Sequence, residues 1–119
     1  MSNVYSDDDG EFLVKLARST VDAIVSGEKT PSIPDDSPHH LLKKSGVFVT
    51  LNTLRGEMAT LRGCIGRPYP TQPLVEATID SAIDAAMNDP RFNRVTPSEL
   101  DSIVVELSVL TPPVQLEYS

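Results

Sequence analysis

Apolar side chains recur every three or four residues between Asp7 and Ser26, which is the spacing of one face of an α-helix. The acidic residues that open this stretch suit the positive end of a helix dipole. Gly27 follows directly, at the position where a glycine commonly ends a helix. The pattern therefore predicts an amphipathic surface helix of about five turns.

The next segment, residues 27–45, is polar, and its prolines prevent either a helix or a central strand from running through it. We expect a long loop. It contains Asp35, Asp36, His39 and His40, which are residue types that can bind metal ions. Adjacent histidines in a proline-rich loop rarely converge on one ion, and no wider ligand spacing accompanies them, so we assign no metal site.

Two strand-like runs follow, Gly46–Leu51 and Met58–Ile65, and a polar turn containing Gly56 separates them. They predict an antiparallel hairpin. A third run, Ile103–Leu110, alternates in the manner of a strand with one buried face. Just before it, Thr96–Glu99 has the sequence of a capping box, which predicts a short helical turn.

Between the hairpin and the third strand, a stretch rich in alanine and isoleucine runs from Pro73 to Asn88. Its apolar positions cover most of a helix circumference, which predicts a helix buried on more than one side. Pro90 disfavours helical geometry at the residue before it, so the helix should end there. Together these elements predict one α+β domain, residues 1–119, in which a mainly antiparallel sheet packs against helices.

The composition narrows the possible partners. The chain has 119 residues, 39% of them apolar, and a net charge of −7, which opposes binding to a nucleic-acid backbone. No apolar run approaches the roughly 18 residues of a membrane helix, and the N-terminus does not resemble a signal peptide. We therefore expect a cytoplasmic protein that binds neither membrane nor nucleic acid. Its one cysteine cannot form an internal disulfide.

That cysteine lies in the hexapeptide Leu61–Gly66, which reads Leu-Arg-Gly-Cys-Ile-Gly. Regular strand alternation predicts Arg62 and Cys64 on one face, about 7 Å apart, and Leu61 and Ile65 in the core. A guanidinium at that distance favours the thiolate, so Arg62 and Cys64 are candidate catalytic residues. The structural alternative is a thiol that packs as a small hydrophobe, since no histidine is clearly placed to act as its base.

Glycines flank the cysteine. Gly63 and Gly66 weaken a strand, which indicates a bulge, a bend or a backbone that something else, either ligand or protein, approaches closely. Arg67 follows at once, so an anionic group would find two arginines and free backbone donors around a glycine bend. We therefore include Gly63, Gly66 and Arg67 as candidate ligand-binding residues.

Two further places offer charged side chains. Asp89 and Arg91 lie just after the second helix, beside Phe92. The structural interpretation is that Arg91 pairs with Asp89 or with a helix C-terminus, while Phe92 packs in the core. Glu106 lies in the middle of the third strand, where it is either exposed to solvent or paired, and Arg62 is the partner that we favour. Asp89, Arg91 and Glu106 complete the candidate binding residues.

Five motifs in this order resemble the AMMECR domain family: Gly46–Leu51, Leu61–Gly66, Asp89–Phe92, Thr96–Leu100 and Glu106–Pro112. The resemblance implies an α+β domain with the hexapeptide at a cleft that serves as the functional site. It also marks Arg62, Gly63, Cys64 and Gly66 as site residues. Asp89, Arg91 and Glu106 follow as a second group.

Members of this family are often encoded beside, or fused to, Memo-type proteins and radical-SAM enzymes, which implies a shared modification pathway. By resemblance, the chain is expected to be a cysteine-dependent enzyme or a small-molecule-binding protein that acts with such partners. The alternative is a non-catalytic protein-interaction module that uses the hexapeptide corner as its docking surface. Whether a reaction is catalysed is left open, and no cofactor is assigned.

The family's domain continues beyond the segment that matches Val104–Pro112, whereas this sequence ends at Ser119. We therefore expect a shortened form of the domain, either natural or a fragment. An uncovered sheet edge invites pairing, so either a second copy or a complementing chain is expected to complete the sheet.

Overall fold

The computed structural model describes residues 5–110. Within this range two α-helices and three strands follow one another with bounds α1 Asp7–Val25, β1 Gly46–Arg55, β2 Met58–Arg67, α2 Leu74–Met87 and β3 Ile103–Leu110. Short 3₁₀ turns occupy His39–Leu42 and Pro97–Ser102. The predicted α+β class and each predicted helix and strand are therefore confirmed, with both hairpin strands longer than the sequence indicated.

The strands form one antiparallel sheet in the order β2-β1-β3, so β1 is central and the other two are edge strands. α2 packs on β1 and β2, and α1 packs on α2 and β3. Both helices thus lie against the same face, which we call the inner face. The opposite, outer face has no helix on it among residues 5–110.

The hydrophobic core lies between the inner face and the helices. Val47, Val49 and Leu51 of β1 are fully buried there. Nine of the fourteen residues of α2 are buried, which confirms that this helix is enclosed on more than one side. Its small residues Ala82 and Ala85 let the helix axis approach the sheet closely.

Both ends of α1 have a specific structural cause. The Ser6 side chain accepts a hydrogen bond from the Asp9 backbone, and the Asp9 carboxylate accepts one from the Ser6 backbone, so the two form a capping box. Just beyond the helix, Gly27 has a φ of 74°, which only glycine adopts without strain. The acidic residues, which were the predicted signal for the start of this helix, are therefore not its whole cause, because Ser6 supplies the cap.

The hairpin contains a bulge that strand alternation did not predict. Leu51 pairs with Gly63 and Asn52 pairs with Leu61, so Arg62 is the extra residue on β2. The bulge reverses the facing of every residue between it and the turn. Leu61 is consequently 40% exposed on the outer face, and its predicted place in the core was wrong. Ile65, beyond the bulge, does pack against the core.

Candidate functional site

The two glycines of the hexapeptide are approached by the protein itself. A Cβ atom on Gly63 would collide with the carbonyl oxygen of Ala85, so the absent side chain lets β2 lie directly on α2. A Cβ atom on Gly66 would collide with the ring of Phe48, which lies across it on the outer face. A close approach to these glycines was one of the predicted possibilities, with ligand or protein as its source, and within the described residues the source is the protein.

The guanidinium of Arg62 is held by the chain segment before β3. Its Nε donates to Glu99 Oε1 at 2.7 Å, and its two terminal nitrogens donate to the carbonyls of Asn93 and Arg94 at 2.8 and 3.1 Å. The hydrogen bond from Arg62 is the main cause that lowers the pKa of Glu99 to about 2. The predicted pairing of Arg62 with Glu106 was therefore wrong. The capping-box sequence marked Glu99 only as a helix-start residue, although one carboxylate serves both purposes.

Asp89 and Arg91 bind the backbone of Cys64. The amide of Cys64 donates to Asp89 Oδ2 at 3.0 Å, and Arg91 Nη2 donates to the Cys64 carbonyl oxygen at 3.3 Å. Arg91 also donates to both carboxylate oxygens of Asp89, at 3.0 and 2.8 Å, and Asp89 is one of the two partners expected for it from the sequence. This hydrogen bond is the largest cause that lowers the pKa of Asp89 and raises that of Arg91. The pair therefore caps the outward edge of β2 at the cysteine.

Phe92 links the two arginines. Its ring centre lies 6.0 Å from the guanidinium carbon of Arg62 and 5.4 Å from that of Arg91, within the range of cation–π attraction. The ring is half-buried, so it is not the fully buried core residue that the sequence suggested. The ring thus contacts both guanidinium groups, and each guanidinium also pairs with a carboxylate.

The thiol of Cys64 is half-buried on the outer face. It shares a hydrogen bond with the hydroxyl of Thr50, 3.2 Å away on β1. Thr50 also pairs with Glu106 of β3, so Cys64, Thr50 and Glu106 form one row across the three strands, and the outer two lie about 10 Å apart. Among residues 5–110 no histidine or carboxylate forms a hydrogen bond with the thiol.

Arg67 lies apart from the other two arginines. Its Nη2 donates to Asp84 of α2 at 2.9 Å, so its side chain turns toward the helix side of the sheet. Arg62 instead turns to the Pro97–Ser102 turn. The structure therefore does not bring Arg62 and Arg67 together around a glycine bend.

A cleft of about 510 Å³ lies between the far half of the hairpin and the Pro97–Ser102 turn. It is lined by Thr53, Arg55, Thr60, Leu61, Arg62, Ser98, Glu99 and Ser102. Hydroxyl groups and one ion pair thus dominate its walls, and the exposed Arg55 adds a second cation. Cys64, Asp89 and Arg91 do not line it, so Arg62 is the residue that joins the cleft to the surroundings of the thiol.

The histidines of the proline-rich loop lie elsewhere. His40 lies 2.7 Å from the Asp9 carboxylate, and this contact is the main cause that lowers the pKa of Asp9. Within residues 5–110 no group of three metal-ligating side chains converges. Over the same range, neither helix has the length and apolar character needed to cross a membrane.

Comparison with known proteins identifies the family. The sequence model of the AMMECR1 family matches residues 14–119. The chain belongs to the AMMECR1 family. It is 55% identical over 113 residues to a protein of Thermococcus gammatolerans and 55% identical to the protein TK0174 of Thermococcus kodakarensis, covering 93% of this chain in each case.

A solved structure shares the fold as well. The crystal structure of PH0010 from Pyrococcus horikoshii, described as an uncharacterized protein, matches with a TM-score of 0.85 and 50% identity over 95% of this chain. The match covers 56% of PH0010, and the chain likewise spans about 55% of the two Thermococcus proteins. This AMMECR1-family chain therefore corresponds to a little over half of these longer relatives.

Proposed function

We propose that this AMMECR1-family chain is a non-catalytic protein-interaction module, and that the hexapeptide corner shapes its docking surface. The observation that carries the proposal is that the polar groups around Cys64 are already bound within the protein. Arg62 is held by Glu99 and two carbonyls, while Asp89 and Arg91 bind the cysteine backbone. Because these side chains already bind other groups of the protein, they stabilise the shape of the surface around Cys64. They are poorly placed to activate its thiol as a nucleophile.

The outer face is the surface that this arrangement supports. Its row Cys64, Thr50 and Glu106 carries polar groups that no helix covers in the described part of the chain. By family resemblance, Memo-type proteins and radical-SAM enzymes are the partners to test. Interfaces between partners that also exist apart are, taken as a whole, about as polar as the rest of a protein surface, so polar groups on this face are compatible with docking.

Replacement of side chains on this face tests the proposal. Cys64→Ser should leave the affinity for a Memo-type or radical-SAM partner within about twofold, because the thiol is not used chemically. Glu106→Lys should weaken binding at least tenfold, whereas the same charge reversal at the exposed Glu28, beyond the end of α1, should not. A folded Cys64→Ser variant that no longer binds, measured by calorimetry, would overturn the proposal.

A cysteine-dependent enzyme is the second candidate, and the position of Arg91 favours it. Its guanidinium Nη2 lies 3.3 Å from the carbonyl oxygen of Cys64, so a cation stands beside the cysteine. If the thiol is a nucleophile, iodoacetamide should alkylate Cys64 at pH 6 faster than free cysteine, and Arg91→Ala should remove the difference. Equal or slower alkylation of the wild-type protein counts against this candidate.

A role in binding a small anionic molecule would be separate from the thiol, because Cys64 does not line the cleft. The cleft beside Arg62 supports this idea, since it combines Arg55 with the hydroxyls of Thr53 and Thr60. Citrate and inorganic phosphate are suitable probes, because each offers several anionic oxygens to a guanidinium. Binding that Arg55→Ala weakens at least tenfold would support the site, and binding unchanged by that substitution would refute it.

A further inference from the structure

The inner face of the sheet changes from apolar to polar where it passes beyond the core. Val47, Val49 and Leu51 of β1 are fully buried in the core. The next two positions on the same face of this strand are Thr53 and Arg55, and both line the cleft of about 510 Å³. Apolar side chains at these positions would have extended the core. Threonine and arginine instead indicate a surface that meets water or a polar ligand.

Arg55 gives the cleft a positive charge that is not paired within residues 5–110. The acidic residue among the described lining is Glu99, and its carboxylate accepts hydrogen bonds from Arg62 and from the backbone amide and hydroxyl of Thr96. The charges of Glu99 and Arg62 therefore balance each other. No carboxylate of the described chain forms an ion pair with Arg55. Its guanidinium is thus available to one anionic group of a ligand.

Hydroxyl groups line the same cleft from two directions. Thr53 and Thr60 are paired across β1 and β2, which places their side chains about 5 Å apart on one face of the sheet. Ser98 and Ser102 line the cleft from the 3₁₀ turn. In the described part of the chain, the hydroxyls of Thr53, Thr60 and Ser102 form no hydrogen bond with another protein group. Since a hydroxyl both donates and accepts, this set can exchange hydrogen bonds with the hydroxyls of a sugar.

The lining argues against other classes of phosphorylated ligand. The described residues that line the cleft include no aromatic ring, and a nucleobase commonly binds by stacking on such a ring. A diphosphate or triphosphate group carries more negative charge than one unpaired guanidinium balances. A volume of about 510 Å³ lies within the range of ~300–1,000 Å³ that is usual for small-molecule sites. A sugar that carries one phosphate matches the charge, the hydroxyl groups and the size.

We infer that this cleft binds a sugar monophosphate. Arg55 donates hydrogen bonds to the phosphate oxygens. The sugar hydroxyls exchange hydrogen bonds with Thr53 and Thr60 on the sheet and with Ser98 and Ser102 on the turn. The inference rests on the anion-binding role proposed for the cleft, and it names the class of the ligand. It is separate from docking on the outer face, because the threonines and Arg55 lie on the inner face.

Isothermal titration calorimetry with glucose 6-phosphate and ribose 5-phosphate tests the inference. We expect the tighter of the two to bind at least about tenfold more strongly than inorganic phosphate or free glucose, because the phosphate and hydroxyl contacts act together. Arg55→Ala should weaken this binding at least about tenfold, since it removes the unpaired guanidinium. Thr60→Val removes one hydroxyl and keeps the branched shape, so it should weaken binding about threefold.

Matched controls come from exposed side chains that do not line the cleft. Arg94→Ala removes an arginine of the same charge and Thr71→Val removes a hydroxyl, so each should change the affinity by less than about twofold. Circular dichroism of each variant confirms that it is folded.

Two results would overturn the inference. One is that both sugar phosphates bind no more tightly than inorganic phosphate or glucose, and the other is that Arg55→Ala leaves their binding unchanged. If the first occurs while inorganic phosphate still binds and Arg55→Ala weakens it, the anion-binding role stands and the sugar monophosphate is excluded. Neither result alters the expected effect of Glu106→Lys on docking.

Discussion

β2 and β3 are the two edge strands of one sheet. They differ in which of their outward backbone groups form hydrogen bonds with side chains from other parts of the chain. Asp89 and Arg91 bind the outward amide and carbonyl of Cys64 in the middle of β2. Within residues 5–110, the outward side of β3 is bound by a side chain at Ile103, whose carbonyl accepts from Arg18. The charged residues next to the hexapeptide thus cap β2 at its middle, whereas the side-chain contact on the outward side of β3 lies at the start of the strand.

The largest loss of stability is expected from a substitution that breaks the contact between β2 and α2. In Gly63→Val the new side chain would collide with the Ala85 carbonyl, which is backbone and cannot rotate away. We expect the free energy of unfolding to fall by about 3 kcal/mol in urea denaturation. Gly10→Ala is the control, since Gly10 has open space around it within α1 and should gain about 0.5–1 kcal/mol. A Gly63→Val protein as stable as wild type would contradict this packing.

A smaller loss of stability is expected when the cap on the edge of β2 is removed. Asp89 is 2% exposed, and Asp89→Ala leaves the Cys64 amide and the Arg91 guanidinium without their acceptor. We expect a loss of about 2 kcal/mol in unfolding free energy and faster hydrogen exchange at the Cys64 amide. Asp101→Ala, at an exposed position in the Pro97–Ser102 turn, should change stability by less than about 0.5 kcal/mol. Unchanged exchange at Cys64 would show that Asp89 does not cap this edge.

Lowering the pH should reduce the unfolding free energy, because the carboxylates of Glu99 and Asp89 are paired with arginines. The folded-state pKa of Glu99 is lowered from 4.5 to about 2 by Arg62, and that of Asp89 is lowered by Arg91. A lowered folded pKa means that the stabilisation is complete above the unfolded value and is lost as the pH falls through the folded value. Unfolding free energies measured from pH 5 to 2 should therefore decline. The decline should be flatter in Glu99→Gln, and an identical slope would exclude this ion pair as a cause.

The smallest effect on stability is expected at the edge of β3. Val104→Lys places a charge on the exposed side of β3 and should change the unfolding free energy by no more than about 0.5 kcal/mol. It should nevertheless reduce self-association of the concentrated chain, because an edge lysine disfavours strand pairing. Sedimentation velocity measures this, with Val14→Lys as the comparison. Equal self-association of wild type and Val104→Lys would indicate that the β3 edge does not pair with another copy of the chain.

Much of the fold was readable from local signals. The helix-period spacing in α1, the alanine-rich face of α2 and the alternation in β3 each reflect burial on a defined face, which sequence periodicity reports directly. The Asp89–Arg91 pair was one of two arrangements expected for Arg91, and its two residues are only two positions apart. Contacts of this kind need no knowledge of the remaining chain.

The sequence by itself determined the order and type of the elements, since capping residues, glycines and apolar periods act within a few residues. Only the tertiary structure decided how the hexapeptide is used. The extra residue at Arg62 reverses the facing of Leu61. Gly63 made a bulge one of several possibilities, but the local pattern does not say which possibility holds or which residue is the extra one. The partner of Arg62 is Glu99, 37 positions away, so their contact exists only once β2 and the Pro97–Ser102 turn are packed together.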